Sequence, residues 1–264
     1  LIIVIFEILG AVYVGQSLLF DTNDRFDSIF NEARLRIIII QVAIVGIIAI
    51  GVTQVIITAG IDLSSESVVG ATAMIAMSFA QVAMVNGAEN PKAIFGPAFL
   101  DLPWLIPVFV GLAVGTLAGI VNGILVAYAR IPPFIATLGM MLFARGVAQW
   151  WSSGNPISFP TESYTKIGAG MMPVIIFLSL AVLFHLIMNY TVYGKHTYAI
   201  GSNEAAARMS GINVPRHLLI VYGIAGMLAG LSAVILTSKN LTAQSGMGLG
   251  YELDAIDMAV IGGV

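Results

Sequence analysis

The chain has 264 residues, of which 58% are hydrophobic and only 9% charged, against roughly 25% charged residues in a soluble domain. That leaves too little polar surface to cover a globule in water, so the chain needs lipid. A net charge of −3 gives no footprint for a nucleic-acid partner, and the absence of cysteine excludes disulfides and thiolate metal sites.

A bilayer core ~30 Å thick takes about 20 apolar residues per helix. Seven stretches meet that length and an eighth begins, which predicts an all-α integral membrane protein, a polytopic helical bundle. The first stretch is 1–20. It starts at Leu1 inside an apolar run, and Gly262, Gly263 and Val264 fall inside another. The expectation is a single transmembrane domain over 1–264, truncated at both ends. A connection over 21–36 carries Asp21, Asp24, Asp27 and Glu32, with Arg34 and Arg36 at its close. The second stretch is 37–59.

Next comes GIDLSSES, residues 60–67. Polar groups at membrane depth are costly and mark function by default. Asp62, Ser64 and Ser65 can cap a helix that begins near Ser67, and Glu66 adds a second acid that complements the helix dipole. One reading is a broken helix whose freed backbone groups are capped. The other is a segment lining a solute path, and the two are compatible.

The third stretch, 67–86, is rich in Ala and Met, and the connection after it holds Glu89 and Asp101. The fourth, 104–128, places Gly111, Gly115, Gly119 and Gly123 at spacing four. Such a stripe lets a second helix approach closely. Asn122 lies on the same stretch. Arg130 then sits in a tight turn before Pro132 and Pro133.

The fifth stretch, 133–151, carries Thr137, Arg145 and Gln149, with Asn155 just beyond. A charge such as Arg145 must face protein or water, so it pairs with an acid such as Asp62 or Asp254, contacts solute, or snorkels outward. Trp150 and Trp151 fit an interfacial aromatic belt. Asn122, Thr137, Gln149 and Asn155 are neutral hydrogen-bonders that suit a polyol and equally suit helix–helix contacts. A polar connection over 152–171, holding Glu162, leads to the sixth stretch, 172–189.

Residues 191–217 form a polar, basic island with Lys195, His196, Arg208, Arg216 and His217 against a lone acid, Glu204. Asn203 can cap a short helix over 204–210, Gly211 can end it, and Pro215 pre-sets the next helix. Seven residues are well short of an independently stable helix, so something must dock against it. The seventh stretch is 217–237. Glu252, Asp254 and Asp257 then crowd the mouth of the eighth, near 253, with Asp254 and Asp257 on one helix face. Helix capping and inter-helix pairing compete here with a proton or cation relay.

The basic connections, Arg130 and 191–217, predict a cytoplasmic position for both and for the N-terminus. Arg34 and Arg36 oppose that orientation. A short echo between GIDLS after the second stretch and YELDA after the seventh raises an inverted five-helix repeat as an expectation. No catalytic residues are assigned: the chain has no GxSxG, HExxH or Walker A motif. His185, His196 and His217 are scattered and predict no metal site. An ion-coupled secondary transporter using Asp62, Arg145 and Asp254 as a relay is the alternative these residues leave open.

Four blocks together resemble the membrane-spanning permease of bacterial ABC importers for monosaccharides, the ribose, xylose, galactose and inositol class. They are TAGIDLSSES (58–67), PPFIATLGMMLFARGVAQWWSSGNPIS (132–158), YGKHTYAIGSNEAAARMSGINVPRHLLIVYGIAGMLAG (193–230) and GLGYELDAIDMAVIGG (248–263). The resemblance spans nearly the whole chain and implies about ten spans in the family, of which about eight are here. It implies two permease copies, identical or mixed, cytoplasmic ATPase subunits that bind ATP and Mg, and a periplasmic sugar-binding protein. It implies a multi-pass protein of the bacterial inner membrane with no cofactor of its own.

Glu204, Ala205, Ala206 and Gly211 match the family's Glu-Ala-Ala loop, in the sugar-importer form. With Arg208 they are the expected ATPase-coupling residues. The expected solute path or broken-helix region comprises Asp62, Ser64, Asn122, Thr137, Arg145, Asn155, Glu252 and Asp254. Glu66 stands where the family commonly has a small residue, and Asp257 where Ala is usual. The wording of PPFIATLGMM and SGINVPRHLLIVY is similar to inositol-type permeases, which makes myo-inositol the first expected solute, then ribose, galactose or xylose.

Overall fold

The computed structural model describes residues 2–15 and 32–264. The chain divides into two compact units, Leu1–Val42 and Ala43–Val264. In the first unit, helix α1 (Ile2–Leu9) runs into a π-helical turn, Gly10–Val14, closed by Gly15 in the left-handed region. The first expected stretch is therefore helical through Val14. Its last residues, and the connection holding Asp21, Asp24 and Asp27, lie outside the described residues. The unit boundary falls within α2 (Glu32–Ile57).

In the second unit the apolar faces sort by burial. The part of α2 that belongs to it is packed inside, with Ile44, Val45, Ile47, Ile48, Val52 and Val55 all buried. So is α3 (Ser65–Ser78), where every residue except Ile75 is buried. Helices α4 (Leu105–Ala127), α5 (Pro133–Trp151) and α7 (Met172–Tyr190) instead turn large apolar side chains outward, among them Phe109, Leu142, Phe143, Leu178 and Val182. Helices apolar on their outer faces are stable only where lipid replaces water. Among the described residues, four helical stretches, Leu35–Ile57, Leu105–Ala127, Met172–Tyr190 and Val214–Asn240, are long and apolar enough to cross a membrane.

The glycine stripe of α4 packs on α10 (Val214–Asn240). A side chain added at Gly115 would collide with the backbone at Gly226 and Gly230, and one at Gly119 with the Tyr222 carbonyl. The two helices thus meet backbone to backbone, as the spacing predicts.

The third stretch is a correction. Expected over 67–86, its helix is only 14 residues, about 21 Å at 1.5 Å per residue. The apolar run continues past it, but Gln81 turns the chain. Its amide donates to Lys92 O (2.7 Å) and Ser158 O (3.0 Å), and its carbonyl accepts from Ile94 N (3.0 Å). The chain goes on into a small hairpin, β1 (Met84–Val85) against β2 (Ala88–Glu89). Phe79, Phe95, Phe99 and Trp151 pack together beside it. Trp151 also donates to Ser78 Oγ at 2.8 Å. Of the expected aromatic belt, Trp150 faces outward and Trp151 is partly buried.

Beyond α5, β3 (Ile157–Ser158) pairs antiparallel with β4 (Thr242–Ala243). Between them in sequence, α6 (Glu162–Thr165) carries the buried Tyr164, which binds Thr237 Oγ1 (2.6 Å) and Val234 O (3.1 Å) on α10. The polar island holds α8 (Val192–Ser202) and α9 (Glu204–Met209), and α11 (Tyr251–Ile261) closes the described chain.

Candidate functional site

Three groups of polar side chains stand out in the second unit. The first is built on the break between α2 and α3. Helix α2 stops at Ile57, and Ala59 takes a positive φ of 59°. Gly60 is required here, because a Cβ would lie 2.7 Å from the Tyr222 hydroxyl and 3.0 Å from Val55. Asp62, only 4% exposed, forms no ion pair among the described residues. One oxygen accepts from Ser64 N (2.9 Å) and Ser64 Oγ (2.6 Å), the other from Ser65 Oγ (3.3 Å). Ser64 Oγ in turn accepts from Asn122 Nδ2 at 2.8 Å. Thr137 Oγ1 reaches Ile61 O at 3.3 Å and Pro133 O at 2.9 Å.

The break thus gathers Asp62, Ser64, Asn122 and Thr137 from α4, α5 and the unwound segment. The helix starts at Ser65, two residues before the expected start. Ser64 is its N-cap residue without a side-chain cap bond, and Asp62 holds the turn in front of it. Two buried atoms in this region have no partner among the described residues: Asn122 Oδ1 and the hydroxyl of Tyr222, each on a residue 1% exposed. The sequence reading missed Tyr222. Its signal was a phenol inside an apolar span, where the hydroxyl normally seeks a partner.

The second group corrects the partner expected for Arg145. Its guanidinium pairs with Glu66 Oε1 at 3.1 Å and donates to the carbonyls of Ser245 and Met247. Neither Asp62 nor Asp254 is its partner. Asp62 is held by its own serines, whereas Glu66 lies one helical turn further on and faces α5. Gly70 leaves room for the crossing, since a Cβ there would sit 2.9 Å from the guanidinium. Glu66 Oε2 accepts from Gly250 N at 2.9 Å, and the buried Glu252 carboxyl lies against Glu66.

Glu66, read in the sequence as an acid complementing the helix dipole and as a departure from the family pattern, is therefore the centre of this group. Asp254 and Asp257 are exposed and take no part in it. Asn155 is exposed and bonds only with Ser152. The relay of Asp62, Arg145 and Asp254 is not assembled. Among the described residues no three His, Cys, Asp or Glu side chains gather as for a metal ion.

The third group is the island. Asn203 Oδ1 caps α9 by accepting from Ala206 N at 3.0 Å, and Gly211 closes it at φ 85°. Glu204 and Arg208 pair one turn apart, and both are exposed together with Ala205, Ala206 and Gly211. Ala207 alone points in, against Ile200 and Val214. The helix has six residues where seven were expected.

Helix α8 was not foreseen. Glycines at 194 and 201 lower its helical propensity, and both are packing positions, against the carbonyls of Met188 and Ile57. Tyr193 on α8 donates to Gln54 Oε1 at 2.7 Å, and Thr197 meets His217 Nε2 at 2.8 Å. Burial pushes the Tyr193 phenol well above its ordinary range, so it stays a donor. A cavity of about 660 Å³ separates the island from the break, lined by Thr58, Gly60, Arg130, Glu204, Arg208 and Tyr222 among others.

A lipid-facing helical bundle, a buried polar break between two helices and an exposed short helix on a packed base define an integral membrane protein of transporter type. Comparison with known proteins agrees. A family model described as "Branched-chain amino acid transport system / permease component" matches residues 35–264. The galactose/methyl galactoside import permease of Haemophilus influenzae is 33% identical, over 97% of this chain and 76% of that protein. The ribose import permease of the same organism is 37% identical, over 90% of this chain and 69% of its own length. That of Escherichia coli K12 is 38% identical, over 84% and 67%. No solved structure gives a significant match. The chain belongs to this permease family, among the monosaccharide ABC import permeases.

Proposed function

We propose that the chain is the transmembrane subunit of an ATP-driven importer that moves a monosaccharide or polyol from periplasm to cytoplasm by alternating access. The observation that carries this reading is α9. It is a capped helix of six residues, exposed on one side and seated on α8 and α10 on the other, too short to hold its shape alone. This is what a coupling helix presents to an ATPase groove. On this reading 191–217 is cytoplasmic, and Glu204, Ala205, Ala206, Arg208 and Gly211 face the ATPase, which binds the ATP and Mg. A periplasmic binding protein delivers the sugar, and a second permease copy completes the path. The permease itself hydrolyses nothing.

The path runs by the α2–α3 break. Asp62, Ser64, Asn122 and Thr137 offer hydroxyls, a carboxylate and a free carbonyl oxygen, groups that exchange hydrogen bonds with a polyol. Arg145, Glu66 and Glu252 act beside them as a buried brace. Among sugars, the named relatives favour ribose or galactose. Myo-inositol has only the wording of two segments behind it.

The test is co-purification from the native membrane. A tagged permease should bring down an ATPase subunit whose turnover rises with sugar-loaded binding protein. A permease that purifies without an ATPase, and takes up sugar under an ion gradient alone, would refute the reading.

A further inference from the structure

Helix α8 carries an inference about how the island acts on the path, and it rests on the importer reading above. Contacts tie α8 to α2, α9 and α10. At Gly201 the backbone of α8 lies so close to the Ile57 carbonyl, the last of α2, that no side chain fits between them. Tyr193 donates to Gln54 at 2.7 Å, and Gln54 is 2% exposed and further anchored on Ile50 O. Thr197 meets His217 at the start of α10, and the His217 ring lies 4.9 Å from that of Tyr193. Ile200 packs with Ala207 and Val214 and so locks α8 to α9.

Beyond Ile57 the chain passes directly into the unwound segment, where Thr58 and Gly60 line the cavity shared with Glu204, Arg208 and Tyr222. Helix α8 thus joins α9 to the end of α2, one residue from the break.

We infer that α8 is the transmission element of this permease, with Gly201 and Tyr193 as positioning residues that pass movement of the α9 helix to the α2–α3 break. Gly201 serves by its missing side chain, which permits direct backbone contact. Tyr193 serves by its bond to Gln54, which makes α2 follow α8. Neither residue touches the ATPase or the solute. Replacing them separates ATP turnover from sugar movement.

The experiment uses the full importer, with ATPase subunits and binding protein, in proteoliposomes. Ribose is the probe, or galactose where wild type takes up no ribose. Tyr193→Phe and Gly201→Ala are compared with wild type for ATPase co-purification, ATP turnover and sugar moved per ATP. The expected result is retained co-purification and turnover, with sugar per ATP lowered about tenfold, within the usual range for coupling between sites.

Unchanged sugar per ATP in both variants overturns the inference. So does loss of turnover and co-purification together in Tyr193→Phe, which would make the contact merely structural. Should Gly201→Ala fail to assemble, Tyr193→Phe decides alone. A wild type without ATP-driven uptake would instead sink the importer reading, a result visible before any variant is measured.

Discussion

Replacing Arg145 by Leu removes the cation that pairs with Glu66. Glu66 is buried, and its pair with Arg145 measures 3.1 Å with both side chains largely covered. The substitution leaves Glu66 with Gly250 N, Ser67 Oγ and the Glu252 carboxyl and strips a donor from the carbonyls of Ser245 and Met247. Breaking a buried pair from one side costs about 3–5 kcal/mol in soluble proteins. Hydrogen bonds in membrane bundles average about 0.6 kcal/mol, because the membrane-unfolded state also finds partners. The two bounds place Arg145→Leu at about 2–3 kcal/mol.

Glu66→Gln in the same chain removes the uncompensated charge and should return about 1 kcal/mol or more. Reversible unfolding in mixed micelles, followed by tryptophan fluorescence, measures both variants and their cycle. Additive losses in the double variant would refute the pairing. So would a coupling that appears instead between Arg145→Leu and Asp62→Asn.

Three further outcomes are expected. Gly119→Val drives a side chain into the Tyr222 carbonyl of α10; the strain should exceed about 3 kcal/mol, and the variant should fail to give a monodisperse peak by size-exclusion chromatography. Asn203→Ala removes the cap of α9, worth about 1 kcal/mol. Amide exchange over 204–209 should quicken by roughly fivefold, while exchange in α10 is unchanged. Tyr222→Phe deletes a buried hydroxyl that has no partner, so the thermal midpoint should hold or rise. A fall of several degrees would show that the hydroxyl is bonded after all.

Much of the bundle was legible because membrane insertion leaves a direct record in composition. The fourth, fifth, sixth and seventh apolar stretches correspond closely to α4, α5, α7 and α10. The row of glycines on α4 foretold a close approach, though not that α10 was the partner. The short helix α9 was readable because both of its ends carry their signals, Asn203 and Gly211.

Three features were not readable, each for a physical reason. Hydropathy cannot tell a helix that crosses lipid from one buried in protein, so α3 was given the length of its apolar run. Propensity argued against α8, since the glycines that weaken it pay back only in contacts with Met188 and Ile57 that lie far away or across a bend. The partner of Arg145 depended on which carboxylate was already satisfied. Asp62 looked available by charge, but Ser64 and Ser65 occupy it. Asp254 and Asn155, chosen by residue type, are exposed, and Tyr222 passed unnoticed inside an apolar run.

The central claim is that movement of solute past the α2–α3 break is driven by ATP through the island. Sugar uptake by proteoliposomes holding the purified complex, with ATP supplied to the ATPase side and all ion gradients abolished by ionophores, tests it most directly. The account predicts uptake that requires ATP and loaded binding protein and persists with the gradients gone. Uptake that proceeds without ATP and collapses with the ionophores would contradict it.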